Sequence, residues 1–442
     1  MTVGAQPVLS HRRKIAVLSI LVAALLLTAP VLLFVVPRLD QAVDARYSIG
    51  FADGYDLIAN NIAHGRGYRF EPELGETMMR EPGYPMFLAG VFKIAGYRIE
   101  AARWANWLLV VAIAFLIMRL AQSVTSDLTA SLIATLLFLF HPGAIISEAR
   151  AGVETLFIFA VLLFILALHE AVARGTRWHY LVAGLALGLV VQVRSTPIVF
   201  PFFLLLYLLL TANGRTERLK SVVNVSVVVL GMILVMAPWM IRNFVLVHHL
   251  IPSATVQGVA AQEGQYTCQN MSFGENFYVV QRQAGRLRAE IARRLGLRFE
   301  GEYYYQFFYD PKDEWSFNNI LLRRAEEAYT TQPLLLATCV CKNAFNLWFL
   351  GKTPHTTWLN VLVQVPFLGF AVGGLYLLWR RGLLKKMGIM LMFVLCVLAV
   401  QLPIIAHARH SVPIVPFLSI PASISLMSIW HRCRVHIQRE TT

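Results

Sequence analysis

The chain has 442 residues, of which 57% are hydrophobic and only 14% are charged, and its formal net charge is +14 at neutral pH. That composition lies outside the range of soluble globular domains and excludes a fold stabilised by a water-facing polar surface alone. The excess of Lys and Arg lies mainly in short loops between apolar segments, as orientation signals do, so no nucleic-acid partner is expected.

Apolar stretches of about 18 or more residues recur along the chain, and each can cross about 30 Å of hydrocarbon. They predict an all-α polytopic membrane protein with about 10–12 transmembrane helices. The first stretch is too long for the core of a signal peptide and is expected to remain as a span. The predicted spans are 15–36, 104–121, 128–146, 153–172, 179–194, 196–211, 222–246, 358–379, 383–406 and 411–430.

The basic residues of the loops predict the orientation of the spans. Basic flanks at 174–177 and 215–220 both belong on the cytoplasmic face, so the apolar segment between them is predicted to be a hairpin. The same rule makes segment 333–351 interfacial rather than a span. Both termini are then cytoplasmic, and the short loops favour a bacterial inner (plasma) membrane.

Three domains are predicted from these segments. Residues 1–247 form an N-terminal transmembrane module with a first outer loop at 37–103, 248–356 an extracytoplasmic helical cap, and 357–442 the last helices with a basic cytoplasmic tail. Within the cap, 286–298 has the pattern of a basic amphipathic helix, which is interpreted either as lying on the membrane surface or as binding a lipid phosphate.

The five cysteines form no metal-type pattern. A disulfide from Cys268 to Cys339 or Cys341 is compatible with an extracytoplasmic cap, but free thiols are the favoured interpretation.

The first outer loop is polar and carries several carboxylates. Asp53 precedes a short helical pattern and is interpreted either as the N-cap of that helix or as a general base. A base must be ionised and must reach the proton of an acceptor hydroxyl or amine. Asp44 and Asp56 are its nearest competitors for that role.

The loop ends in the sequence REPGYP at 80–85, which predicts an irregular turn where the chain re-enters the membrane. Arg80 and Glu81 are interpreted either as a surface ion pair, worth about 0–1 kcal/mol, or as an anion-binding arginine with its acidic partner.

Further charged residues lie at the outer ends of predicted spans. Glu154 is either interfacial or functional, since an ionisable group at membrane depth is a functional hypothesis by default. Arg194 at the hairpin tip is either a lipid-phosphate ligand or half of a structural ion pair with an acidic loop residue. Arg409 and His410, with Arg242, form a basic cluster on the same outer face as the acidic loop.

Together these stretches resemble the polytopic C-type glycosyltransferases that use polyprenyl-phosphate sugars, notably the protein-mannosyltransferase and lipid A aminoarabinose-transferase group. The resemblance covers most of the chain, in the segments at 53–68, 80–89, 141–156, 184–194 and 408–416. It implies the C-type glycosyltransferase fold with helical extracytoplasmic loops.

The resemblance also implies roles for single residues. The catalytic base is Asp53 or Asp44; the choice stays open because the family often has its acidic residue three or four positions before a tyrosine, whereas Asp53 stands two before Tyr55. The residues expected to bind the donor phosphate or the substrate are Arg80, Glu81, Tyr84, Glu154, Arg194, Arg409 and His410.

The implied reaction is inverting transfer of a sugar from a polyprenyl-phosphate donor to a lipid, glycan or protein acceptor at the outer leaflet, among membrane lipids. No nucleotide-binding fingerprint is present. A divalent metal is compatible with the family, with His141, Glu148 and His410 as candidate ligands, although their spacing does not indicate a site. The alternatives are a flippase or transporter of a lipid-linked sugar, which predicts internal repeats that the sequence lacks, and a structural subunit.

Overall fold

The computed structural model describes residues 11–35 and 53–440 of the chain. Within these ranges nearly all regular structure is helical, which confirms the predicted all-α polytopic class. Seven helices are long and apolar enough to cross a membrane, and a bent pair of shorter helices makes an eighth candidate.

Within residues 11–35 and 53–247, ten helices are described. They are α1 (His11–Pro30, continued by a π-helical turn at Val31–Val35), α2 (Tyr55–Ala63), α3 (Gly83–Ala95), α4 (Ile99–Thr125), α5 (Leu128–Leu139), α6 (Pro142–Ala149), α7 (Val153–Arg174), α8 (Arg177–Val193), α9 (Phe200–Thr211, after a 3-10 turn at Thr196–Val199) and α10 (Arg215–Val247).

The second half holds the cap and the last spans. Its elements are α11 (Val256–Asn270), α12 (Phe277–Arg294), β1 (Phe299–Glu300), β2 (Phe307–Phe308), α13 (Pro311–Thr331), α14 (Pro333–Phe349), α15 (Pro354–Arg380), α16 (Gly388–Ile404, after a 3-10 turn at Leu384–Met387) and α17 (Val415–Glu440, after a 3-10 turn at Ala408–Ile414).

Within the described residues, each of the ten predicted spans lies on one or two of these helices, but only eight of the ten are long and apolar enough to cross a membrane, counting the bent pair as one. The predicted span at 128–146 is the pair α5 and α6, bent by 54°, because Pro142 starts a new helix and donates no backbone hydrogen bond to the preceding one. The predicted hairpin is α8 and α9, which are shorter than the other spans. The interfacial segment is α14, a 17-residue helix outside the set of membrane-crossing candidates.

Local sequence explains several helix starts. The Asp127 side chain accepts a hydrogen bond of 2.7 Å from the Thr129 backbone and so caps α5. Thr353 and Thr356 form a reciprocal capping box at the start of α15. This capping box fixes the first residues of α15 and therefore the end of the loop that follows α14.

The first outer loop and the cap are packed around small apolar clusters. Tyr68, Phe70 and Met79 of the loop bury their side chains against Trp239 near the outer end of α10. Phe308 on β2 packs with residues of α11, α12 and α13 in the centre of the cap. The two strands pair antiparallel, with Phe299 opposite Phe308.

The prediction of free thiols is wrong for two of the cysteines. Cys268 on α11 and Cys339 on α14 form a disulfide across 71 positions, whereas Cys341, two residues further along α14, is exposed and free. Spacing alone did not predict this pair, because it forms only when α14 packs beside α11. The predicted division into three domains stays a prediction.

Candidate active site

A cavity of about 420 Å³ is lined by the first outer loop, by the helix ends next to that loop, and by the cap. This volume falls in the usual range of small-ligand sites. Seven of the nine predicted site residues lie on its wall: Asp53, Arg80, Glu81, Glu154, Arg194, Arg409 and His410. The structure therefore brings together charged groups from four distant parts of the sequence.

Arg409, in the 3-10 turn before α17, is the centre of this cluster. Its Nε and NH2 groups donate to the two carboxylate oxygens of Glu154 at 2.5 and 3.1 Å, and its NH1 group donates to Oδ2 of Asp53. Arg194 donates from NH1 to the same Glu154 carboxylate at 3.1 Å. Charge-assisted, two-pronged contacts of this kind hold side chains in one orientation. Arg194 is thus paired with Glu154 on α7, and its predicted acidic partner in a loop is wrong.

Asp53 is not the N-cap of α2, contrary to one of its two interpretations. The helix begins at Tyr55, Gly54 precedes it, and no side chain caps it. Asp53 itself has φ of +53°, a left-handed conformation that is unusual outside glycine and frequent at functional sites. This backbone turns the carboxylate away from the helix end and toward Arg409.

The charge state of Asp53 follows from its neighbours. Burial disfavours the carboxylate, but Arg409, Lys352 and Arg80 together outweigh that effect and hold the pKa of Asp53 below its ordinary value. Asp53 is therefore ionised at neutral pH. Its side chain remains 38% exposed, so the carboxylate is accessible from the cavity.

Arg80 and Glu81 do not form the surface ion pair that was one interpretation of the REPGYP turn. Both are buried. Arg80 donates to the Asp53 carbonyl oxygen at 3.0 Å, and its guanidinium lies 4.6 Å from the ring centre of Tyr305. Glu81 instead accepts a hydrogen bond of 3.0 Å from the backbone N–H of Ser195. Arg80 and Glu81, although neighbours in sequence, thus contact different parts of the structure.

Two other expected members of the cluster face elsewhere. Tyr84 is buried, donates to the Ala151 carbonyl oxygen, and is not among the lining residues. Arg242 contacts the first outer loop rather than the cavity, with Glu76 at 3.2 Å. Asp44 lies outside the described residues.

No metal site is found in residues 11–35 and 53–440, where no three His, Cys, Asp or Glu side chains are grouped closely enough to hold an ion. Of the candidate ligands, His141 and Glu148 are buried and do not line the cavity. His410 does line it and packs against His407, with ring centres 4.0 Å apart and the ring planes tilted by 33°. Dependence on a divalent metal stays a prediction.

Sequence reasoning missed Lys352, which lines the cavity from the loop between α14 and α15. Its ammonium lies 4.9 Å from the ring centre of Tyr278. The signal that could have found it is the polar sequence GKTPHTT at 351–357, which separates the interfacial segment from a membrane span. A lone lysine in such a break is common on any membrane surface, so only the fold reveals its proximity to Asp53.

The sequence model of the dolichyl-phosphate-mannose-protein mannosyltransferase family matches residues 79–241. The matched part contains Arg80, Glu81, Glu154 and Arg194, four of the residues on the cavity wall. No curated protein sequence matches the chain.

Solved structures are similar over almost the whole chain. The oligosaccharyltransferase AglB of Archaeoglobus fulgidus, in complex with an inhibitory peptide and a dolichol-phosphate, matches 98% of this chain and 52% of its own, at 15% identity and a TM-score of 0.56. The same archaeal protein tethered to an acceptor peptide matches 96% and 50%, at 14% identity and a TM-score of 0.55. The chain has an oligosaccharyltransferase-like fold.

The likeness is one of architecture, and the chain spans about half the length of that archaeal protein. ArnT from Cupriavidus metallidurans, solved with undecaprenyl phosphate, is less similar, with a TM-score of 0.43 and 12% identity over 94% of this chain and 78% of its own. The predicted resemblance to polytopic glycosyltransferases of the C-type group is confirmed by the family match and by the shared fold.

Proposed function

We propose that the chain is an integral-membrane glycosyltransferase that moves a sugar from a polyprenyl-phosphate donor to an acceptor at the outer leaflet. The observation that carries this proposal is Arg409, which binds Asp53 and Glu154 together on the wall of one cavity. The match to a mannosyltransferase family and the dolichol-phosphate in the AglB complex support a lipid-phosphate donor.

The cations of the cavity suit a phosphate group. Guanidinium forks bind phosphate oxygens in a planar, two-pronged manner, and Arg194 and Arg409 both reach the wall. Negative charge develops on the leaving phosphate during transfer, and fixed cations in a partly dry site stabilise it strongly. We assign donor-phosphate binding to these two arginines, with Lys352 as a third cation.

The transfer is a single displacement with inversion. An acceptor hydroxyl or amine attacks the anomeric carbon, and a new bond forms there from the face opposite the phosphate. The bond from that carbon to the phosphate oxygen breaks, and its electron pair stays on the polyprenyl phosphate. Asp53 takes the acceptor proton, because it is ionised and open to the cavity. Asp44 remains the second candidate for the base.

The outer leaflet is supported by the disulfide. Disulfides form and persist outside the reducing cytosol, and Cys268–Cys339 joins α11 to α14 within the cap. The basic loops between α7 and α8 and between α9 and α10 favour the opposite face as cytoplasmic. A bacterial inner membrane with both termini in the cytoplasm fits this orientation. The acceptor classes are lipid, glycan and protein.

The test is transfer by the purified chain in proteoliposomes that contain polyprenyl-phosphate sugars with a labelled sugar and a membrane extract as acceptor source. We expect label to appear on a new acceptor, and Asp53→Asn to slow transfer by about 100-fold or more. Asp44→Asn at matched expression decides between the two bases, and Glu290→Gln on the exposed face of α12 is the control.

Two results contradict the proposal. Label that only changes leaflet, and never reaches an acceptor, identifies a flippase. Full activity in Asp53→Asn excludes that residue as the base, and full activity in both variants excludes both Asp53 and Asp44.

A further inference from the structure

The cap side of the cavity carries polar groups that the proposed transfer does not use. Gln257 and Glu263 come from α11, and Gln281 comes from α12. All three are long side chains that accept or donate hydrogen bonds, whereas the charged cluster around Arg409 belongs to the membrane side. This cap wall, defined as Gln257, Glu263 and Gln281, therefore differs in chemistry from the phosphate-binding side.

Glu263 is held in place from behind by a buried arginine. Its Oε2 atom accepts from Arg288 at 3.3 Å, and its Oε1 atom accepts from Gln281 at 2.9 Å. Arg288 is fully buried and also donates to Gln262 at 2.7 Å and to the Tyr304 carbonyl oxygen at 2.5 Å. A fixed carboxylate has about four lone-pair sites, so Glu263 keeps acceptor capacity toward the cavity.

Two glycines let the helices of the cap wall approach their supports closely. A Cβ at Gly264 on α11 would lie 1.8 Å from the Ile404 carbonyl oxygen, and one at Gly285 on α12 would lie 1.6 Å from the Tyr303 carbonyl oxygen. Any side chain at either position would push the helix away. Gly264 thus sets α11 directly against the end of α16, and Gly285 sets α12 directly against the backbone at Tyr303, so the cap wall has a fixed position.

The cap wall shares its cavity with the proposed base. Asp53, Glu263 and Lys352 all line it. Burial raises the pKa of Glu263, and Arg288 and Lys352 oppose that effect, while Lys352 also helps to lower the pKa of Asp53. The cap wall and the proposed base therefore face the same space.

The lining of the cavity combines three kinds of group. Apolar side chains of the hairpin and of α16, among them Ile198 and Val400, line it together with the cations Arg194 and Arg409 and with the polar side chains of the cap wall. A polyprenyl-phosphate sugar combines three matching kinds of group, which are an apolar chain, a phosphate and a polyol ring.

We infer that the cap wall binds the ring hydroxyls of the sugar carried by the donor, with Glu263 accepting from hydroxyls and the amides of Gln257 and Gln281 donating and accepting beside it. This inference rests on the proposed function and adds the subsite that selects the sugar. A site built to pair with hydroxyls rejects a ligand that lacks them, because its own buried polar groups are then left unsatisfied.

The experiment compares binding of two probes to the full chain in detergent micelles. One is farnesyl phosphate, and the other is a panel of farnesyl-phosphate sugars that carry mannose, glucose, galactose or arabinose. For at least one sugar, we expect the wild type to bind the glycosylated probe about tenfold more tightly than the bare phosphate. Gln281→Ala and Glu263→Gln should remove that difference and leave farnesyl phosphate affinity unchanged.

Matched variants separate this subsite from the phosphate site and from folding. Gln283→Ala, on the exposed face of α12 two residues from Gln281, should keep the difference. Arg194→Ala should weaken both probes equally. Because Glu263→Gln removes the partner of buried Arg288, Gln281→Ala and Gln257→Ala test the same wall without disturbing that ion pair.

Three results overturn the inference. The first is equal affinity of the wild type for farnesyl phosphate and every glycosylated probe. The second is a sugar-dependent difference that survives in both Gln281→Ala and Gln257→Ala. The third is a loss of affinity for both probes alike in these variants. Absence of any binding to farnesyl phosphate instead contradicts the proposed function itself, and the subsite with it.

Discussion

Glu154 and Arg409 form a two-pronged ion pair although 255 positions separate them in sequence. The Glu154 side chain is 1% exposed, so the pair is shielded from water on the carboxylate side. Arg194 shares the same carboxylate. Glu154, at the start of α7, thus holds the side chains of two arginines in place at the cavity wall.

Removing that carboxylate should destabilise the protein strongly. In Glu154→Ala both arginines lose their buried partner, and breaking a buried pair costs about 3–5 kcal/mol. The measurement is thermal unfolding in detergent, with Glu170→Ala as control, because its pair with Arg174 is half exposed and worth about 0–1 kcal/mol. Equal shifts in the two variants would show that the Glu154 cluster carries no special stability.

The pH dependence of sugar transfer should change when the charge of Lys352 is removed. Its charge helps to hold the pKa of Asp53 below the ordinary range, so wild-type activity should not decline through titration of Asp53 between neutral pH and about pH 5. Lys352→Met removes a cation and should raise that pKa, which moves the acid limb of the rate profile to higher pH. Lys312→Met, exposed at the start of α13, is the control. An unchanged acid limb in Lys352→Met means that Asp53 is not the titrating base.

Glu314 should link cap stability to pH. Its carboxylate accepts hydrogen bonds from Thr255 at 2.5 Å, Thr77 at 2.6 Å and the Met78 backbone at 2.9 Å, so it ties the cap to the first outer loop. Burial raises the pKa of Glu314 despite these donors. The folded state therefore binds the proton more tightly than the unfolded state, and this contribution to stability is lost as pH rises through the raised pKa.

The variant Glu314→Gln tests that sign. Its amide cannot accept from all three donors, so we expect a loss of about 1–3 kcal/mol and a flatter dependence of unfolding temperature on pH. Thermal unfolding measured from acid to neutral pH provides both quantities. If the unfolding temperature of Glu314→Gln keeps the wild-type dependence on pH, a group other than Glu314 is responsible for it.

The disulfide should stabilise the cap. Cys268→Ser should lower the free energy of unfolding by about 2–5 kcal/mol, because the unfolded chain regains the freedom of a long closed loop. Cys341→Ser, at the exposed free thiol, should have no effect. Thiol labelling of the oxidised protein under denaturing conditions checks the pairing, and protection of Cys341 in place of Cys339 would contradict it.

Much of the site was predictable as a list of residues but not as a set of contacts. Asp53 was selected as a carboxylate of the polar first outer loop, and Arg194 and Arg409 were selected as basic residues at the predicted outer ends of spans. Their contacts were not predictable, since α7, α8 and the turn before α17 meet only in the fold. Arg242 is also a basic residue near the end of a predicted span, yet it pairs with Glu76 and does not line the cavity.

Two adjacent residues show most clearly that the contacts could not be predicted from the sequence. Arg80 and Glu81 invite an ion pair by proximity in sequence, but the turn sends one side chain to Asp53 and the other to Ser195. The loop lysine Lys352 carried no motif at all.

The sequence alone determined the helical class and the position of the apolar spans, because hydrocarbon requires long runs of apolar residues with backbone groups satisfied inside each helix. It also placed most of the candidate charged residues at the ends of those spans. Only the tertiary structure decided which carboxylate meets which arginine, which cysteines pair, and that Lys352 and the cap wall join the cavity. Such contacts depend on how distant helices pack, and no local pattern along the chain records that packing.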